Sequence, residues 1–246
     1  MLILIFIVSL LPSILIYLWL RKRKAEDRQY RTICTHAFER GAFLCVALVL
    51  VLSSIFYIIE KIIVLLGAGS VITTVYHNFI VLALSEELIK YLALKGLIKK
   101  NPYSYSWLDI TSWMMIIGIG FGLSESVVYA LGANAGIMLT RGFTAMHCGY
   151  GFIMGYFVGK GMKTGLKRYT AIGILLPFLL HGSYDCCLSD TIGQVNENLV
   201  YISLILAVAA IVTLVIAILH VRRARGKAKY TALLFSEFSH SQSISE

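Results

Sequence analysis

Seven apolar runs, each close to 20 residues long, recur along this 246-residue chain and constrain its fold more than any other feature. They read at 2–20, 41–60, 72–96, 108–131, 138–159, 169–189 and 199–220. A hydrocarbon core about 30 Å thick is crossed by roughly 20 helical residues, so every run is long enough to span a bilayer. Strands are excluded, because a lipid-facing strand alternates polar and apolar residues and these runs do not. The expected class is all-α, a polytopic membrane helix bundle of about seven transmembrane helices. Composition agrees: 58% of residues are hydrophobic and 14% charged. Soluble domains carry about 45–50% and 25%. A soluble globule, a disordered chain and a secreted disulfide scaffold are therefore excluded.

The formal net charge of +9 invites a nucleic-acid reading, but the placement of the charges answers it. Nineteen of the 22 Lys and Arg fall into four clusters: Arg21 to Arg40, Lys95 to Lys100, Lys160 to Arg168, and Arg222 to Lys229. With seven spans, all four clusters lie on one side of the membrane, which predicts an outside N-terminus and a cytoplasmic C-terminus. The exceptions are Lys61, Lys90 and Arg141. Orientation and attraction to anionic headgroups account for the excess, and no nucleic-acid partner is expected. The first run ends in Arg21-Lys22-Arg23-Lys24 without a small-residue cleavage site, so it is expected to stay as an anchor.

Residues 1–228 are expected to form a single integral membrane domain in the cell membrane, with 72–189 as its core. Residues 21–40 read as a basic, partly amphipathic linker on the membrane surface, and 229–246 as a Ser-rich cytoplasmic tail without fixed structure. The five cysteines make no CxxC pair, and the adjacent Cys186 and Cys187 read as small packing residues. Glycines at 151, 155 and 159, and at 118 and 122, recur every fourth position and form smooth stripes where another helix can approach closely.

Ionisable residues inside the apolar runs carry the functional signal, since a charge at the centre of a membrane helix costs at least ~2.5–3.5 kcal/mol. The third run holds Glu86, Glu87 and Lys90, the fourth Glu125, the fifth His147, and the sixth His181 and Asp185. At 1.5 Å per residue, Glu86, Glu87, His147 and His181 lie ~18–20 Å, and Glu125 ~25 Å, from the nearest cytoplasmic end. The groups therefore share one layer. Glu86 and Lys90 are four apart, as are His181 and Asp185, so each pair occupies one helix face. Asp185 is placed either to fix the tautomer of the His181 ring or to bind a water with it.

Three chemistries use such a layer. A carboxylate can take a proton from water for attack on an amide, while histidines stabilise the oxyanion or protonate the leaving amine. The same groups suit a proton-coupled transporter or channel. They also suit a metal site made from His147 and His181 with Glu86 or Glu125, although no HExxH spacing is present. Plain helix packing through a satisfied ion pair is the structural alternative to all three.

Glu86-Glu87-x-x-Lys90, Phe121-x-x-x-Glu125, His147 and His181-x-x-x-Asp185, in that order within about 80–187, resemble the PrsW-type intramembrane proteases. These belong to the wider superfamily of CAAX prenyl endopeptidases and bacteriocin-processing membrane proteins. The resemblance implies a glutamate-dependent endopeptidase that cleaves membrane-anchored substrates, such as an anti-sigma factor or another single-span protein. It implies that Glu86 or Glu87 activates water, that Glu125, His147 and His181 are catalytic, and that Lys90 and Asp185 support them. No cofactor is expected, with a divalent metal such as zinc left open. The sequence departs from the family in carrying Asp185 and Ser126 where relatives often have Asn. The proton-coupled transporter remains the alternative at this point.

Overall fold

The computed structural model describes residues 2–101, 106–132 and 145–195, with scattered helical positions between 201 and 223. Every regular element among these residues is helical, as the apolar runs predict. Parts of the seventh run, Arg141 and the tail beyond 228 lie outside the described residues.

The first run forms α1 (Leu2–Arg21), which passes through a 3₁₀ turn at Lys22–Lys24. The basic, partly amphipathic stretch expected over residues 21–40 is a short turn followed by a helix docked on the bundle. Its second half is α2 (Arg28–Glu39), started by Asp27, whose carboxylate accepts from the Tyr30 N–H at 2.8 Å. Tyr30, Ile33, Cys34 and Ala37 recur at helical spacing and are buried against the bundle. The Lys22–Lys24 turn is pinned too, since Arg23 and Lys24 both pair with the buried Asp109. Burying one acid between two cations ties this turn to the start of another helix.

From α2 the chain runs without a break through a wide π turn at Arg40–Cys45 into α3 (Val46–Leu65). Among the residues of α3 only Glu60 is buried, and apolar side chains such as Leu50 and Ile58 stand 63% exposed. A face this large and apolar is suited to lipid. After a turn at Gly67, the expected third helix is a composite of α4 (Ser70–Tyr76), a π segment at His77–Leu84, and α5 (Ser85–Lys100). Across the gap from α3, Glu60 meets His77 at 2.7 Å.

The central helix is α6 (Trp107–Gly132). Every residue from Leu108 to Gly122 is buried, so this helix is enclosed by its neighbours on all sides. Its start is a reciprocal cap: Ser106 Oγ accepts from the Asp109 N–H, and Asp109 Oδ2 accepts from the Ser106 N–H. Its closest packing is with α7 (Ala145–Thr164). There the glycine stripe does what its spacing predicts. Gly151, Gly155 and Gly159 lie on Met114, Thr111 and Trp107, and a Cβ on Gly118 would overlap the His147 carbonyl. A turn at Gly165 leads to α8 (Lys167–Cys187), followed by the short α9 (Asp190–Val195).

Three helices among the described residues are long and apolar enough to cross a membrane: Arg28–Leu65, Trp107–Val128 and Lys167–Cys187. The five cysteines are free; Cys34, Cys45, Cys148 and Cys186 are buried and Cys187 is partly buried.

Candidate active site

The π segment ends at Leu84, and the paired acids follow at once as the second and third residues of α5. A π turn widens the helix and changes which face its next residues present, and such turns are frequent at functional sites. Here it precedes Glu86, Glu87 and Lys90, all of them buried. Lys90 Nζ donates to Glu86 Oε2 at 3.2 Å and to Glu87 Oε1 at 2.8 Å. Both pairings that the i,i+4 and i,i+3 spacings predict are present.

The other three helices bring their groups to the same point. His147, near the start of α7, has Nδ1 3.0 Å from Lys90 Nζ and Nε2 2.6 Å from Glu125 Oε2 on α6. An ammonium has only donors, so Nδ1 accepts and Nε2–H donates to Glu125, which defines the tautomer. His181 on α8 has Nδ1 3.0 Å from Glu87 Oε1. Its Nε2 lies 3.3 Å from Asp185 Oδ2 and 3.9 Å from Glu86 Oε2. Both ring nitrogens of His181 therefore face carboxylates. A neutral ring would set one lone pair against an acid, so this position calls for a shared proton or a cation.

All seven residues singled out from the sequence thus fall in one cluster: Glu86, Glu87, Lys90, Glu125, His147, His181 and Asp185. The glutamates are not equivalent. Glu87 is fully buried, its Oε1 is held by both Lys90 and His181, and its Oε2 is buried without a hydrogen-bond partner. Among the described residues Glu86 makes its ion-pair contacts through Oε2, and it retains 6% exposure.

Aromatic rings hold the imidazoles. Tyr150 stacks on His181 at 5.2 Å between centroids and 24° between planes, and Phe121 meets His147 edge-on at 5.2 Å. Lys90 Nζ also lies 4.3 Å from the centre of the Phe121 ring. Sequence reasoning gave neither ring a role. Tyr150 stands three residues after His147, one helical turn along the same face, and that spacing was the available signal. Tyr91 packs against the core, while the Tyr129 side chain lies outside the described residues.

Glu86, Glu87, His147 and His181 each offer one ligand atom, all within 4.8 Å of one another. Two imidazoles and two carboxylates are a donor set that zinc accepts. The spare Glu87 Oε2 and the acid-facing nitrogens of His181 fit a bound cation as well. Lys90 bonds three of the same four residues, including the His147 Nδ1 lone pair, so a bound ion would take the place of its ammonium.

A profile of the PrsW family, described as PrsW family intramembrane metalloprotease, matches residues 31–219. The chain is 27% identical over 194 residues to Protease PrsW of Clostridioides difficile, covering 74% of this chain and 77% of that protein. It is 28% identical over 166 residues to Protease PrsW of Bacillus subtilis, covering 65% and 73%. A shorter match to Protease PrsW of Shouchella clausii reaches 38% over 78 residues, 30% of this chain and 36% of that protein. No solved structure matches the chain.

Proposed function

Because this chain belongs to the PrsW family of intramembrane proteases, we propose that it hydrolyses peptide bonds of membrane-anchored proteins with water activated by Glu86. The observation that carries this reading is the convergence of Glu86, Glu87, His147 and His181, from three helices, on one buried point. Glu86 is the better base. Its Oε1 makes none of the contacts that hold the cluster, whereas Glu87 is engaged by Lys90 and His181 and serves as an anchor.

In this reading Glu86 takes a proton from water and later delivers it to the leaving amine, which keeps the carboxylate unchanged over a cycle. His181, held by Glu87 and Asp185 and stacked on Tyr150, faces the developing oxyanion. His147 is oriented by Glu125 and Lys90. His147, His181, Glu86 and Glu87 would hold a divalent ion such as zinc. The chemistry it supplies when bound is a water acidified toward neutrality and a polarised carbonyl. Lys90, within 3.2 Å of both glutamates, favours a second, metal-free version in which its ammonium provides the positive charge.

The exposed apolar faces and the four basic clusters support a multi-pass protein of the cell membrane with about seven spans, an outside N-terminus and a cytoplasmic C-terminus. A substrate helix hides its carbonyls in hydrogen bonds, so the scissile segment must arrive unwound, as the end of a single-span protein can. Regulatory cleavage of an anti-sigma-factor-like protein fits this requirement. The test is cleavage of a co-reconstituted single-span substrate by wild type and by Glu86→Ala, Glu87→Ala and His181→Ala. Loss of cleavage in each is expected, and full cleavage by all three would refute the mechanism.

A further inference from the structure

Lys22 aside, the five other cations from Arg21 to Arg31 divide into two groups. Arg23 and Lys24 are both paired with Asp109. Arg21, Arg28 and Arg31 have no ion pair with a carboxylate among the described residues, yet they line one cavity of about 370 Å³ between the end of α1 and the outer face of α2. The inner face of α2 is buried through Tyr30, Ile33, Cys34 and Ala37, so the bundle fixes which side chains point outward. Glu39 is the single acid in the lining. Three guanidinium groups against one carboxylate leave a concave surface of net positive charge, which a bound anion would offset.

The remaining lining narrows the anion. Thr32 and Thr35 spend their hydroxyl protons on the Arg28 and Arg31 carbonyls, at 3.0 and 3.2 Å. Their oxygens, like the Glu39 carboxylate, are left to accept hydrogen bonds. The cavity thus pairs forked donors suited to a phosphate with acceptors suited to hydroxyl groups. It opens beside Arg21, the last residue of an apolar helix, where a membrane headgroup layer would lie.

We propose that Arg21, Arg28 and Arg31 form a binding site for the headgroup of an anionic phospholipid that carries free hydroxyls, of the phosphatidylglycerol type. The phosphodiester sits on the arginines, and the headgroup hydroxyls donate to Glu39 and the two threonines. A lipid held there braces α2, which leads through the π turn at Arg40–Cys45 into α3. This site is separate from the buried acid and imidazole cluster and does not depend on the catalytic reading.

The test is native mass spectrometry of the full chain purified from vesicles of mixed phosphatidylcholine and phosphatidylglycerol. Wild type is expected to retain phosphatidylglycerol in preference to phosphatidylcholine. The doubly substituted Arg28→Gln, Arg31→Gln protein is expected to lose about fivefold in retention for each arginine removed. The charge-preserving pair Arg28→Lys and Arg31→Lys should also lose several-fold, because a lysine lacks the fork. Removing two charges elsewhere, by Lys99→Gln and Lys100→Gln, should leave retention intact. Retention by the lysine pair equal to wild type, or an equal loss with Lys99 and Lys100 removed, would reduce the effect to diffuse surface charge and overturn the site. Displacement of the lipid by soluble glycerol 3-phosphate would overturn a membrane source. All of these substitutions lie on exposed positions, and unchanged thermal unfolding of each variant in detergent is the folding control.

Discussion

His181 Nδ1 lies 3.0 Å from Glu87 Oε1, although 94 residues separate them along the chain. This contact joins α8 to α5 at the depth of the paired acids. Because Lys90 Nζ bonds the same Glu87 oxygen at 2.8 Å, one carboxylate atom fixes both the ammonium and the imidazole. A side chain that organises two others is poorly placed to leave them during turnover, which separates the expected roles of Glu87 and Glu86.

Glu86→Gln should lower kcat on a reconstituted single-span substrate by about 100-fold or more, the usual contribution of a general base. The fold should persist, since Gln keeps the shape and an acceptor for Lys90. Glu87→Gln should lower activity and also thermal stability, because it weakens a fully buried contact to two partners. Kinetics and unfolding measured on both variants decide the assignment. If Glu86→Gln destabilises the protein and Glu87→Gln does not, the roles are reversed.

Tyr150 positions the ring of His181 by stacking. Tyr150→Phe retains the ring and should stay near wild-type kcat, whereas Tyr150→Ala should lose about two- to tenfold, the worth of one aromatic pair. KM should be unchanged in both. A loss in Tyr150→Phe as large as in Tyr150→Ala would instead assign the work to the phenol hydroxyl.

Metal analysis of the purified protein separates the two electrostatic versions of the site. The expected result is one divalent ion per chain, lost in His147→Ala and His181→Ala, with cleavage abolished by a chelator and restored by zinc. Full cleavage by protein verified to be metal-free would leave Lys90 as the source of positive charge.

Asp185→Asn replaces the acid 3.3 Å from His181 Nε2 with an amide of the same shape. It should cost less than Asp185→Leu, for which a loss of about 10- to 100-fold is expected of a residue that orients a functional histidine. Equal activity of both variants and wild type would remove Asp185 from the site.

Gly118→Leu tests the close crossing of α6 and α7. The new side chain would overlap the His147 carbonyl, so the helices must separate. Overpacking of a tight contact costs about 1–3 kcal/mol, visible as a lower unfolding temperature in detergent, and activity should fall with it because His147 moves.

Much of this arrangement was readable along single helices. Glu86 with Lys90, and His181 with Asp185, are contacts at i,i+4 spacing that helical geometry implies without further information. The apolar runs implied an all-helical chain, and rise per residue placed the ionisable groups in one layer. The stripe at Gly151, Gly155 and Gly159 announced a close helix crossing without naming the partner. The docking of α2 escaped the sequence reading, because its basic residues outweighed the apolar stripe of Tyr30, Ile33, Cys34 and Ala37.

Sequence by itself determined that the chain is helical, that the acids and imidazoles sit at similar heights along their helices, and the local pairs, since these follow from periodicity and rise along one helix. Tertiary structure alone decided that His147 meets Glu125 and Lys90, that His181 meets Glu87, and that Tyr150 lies flat on His181. The physical reason is rotation. Shared depth leaves each helix free to turn about its own axis, and only side-chain packing between helices, such as Gly118 against the His147 carbonyl, fixes which face it shows.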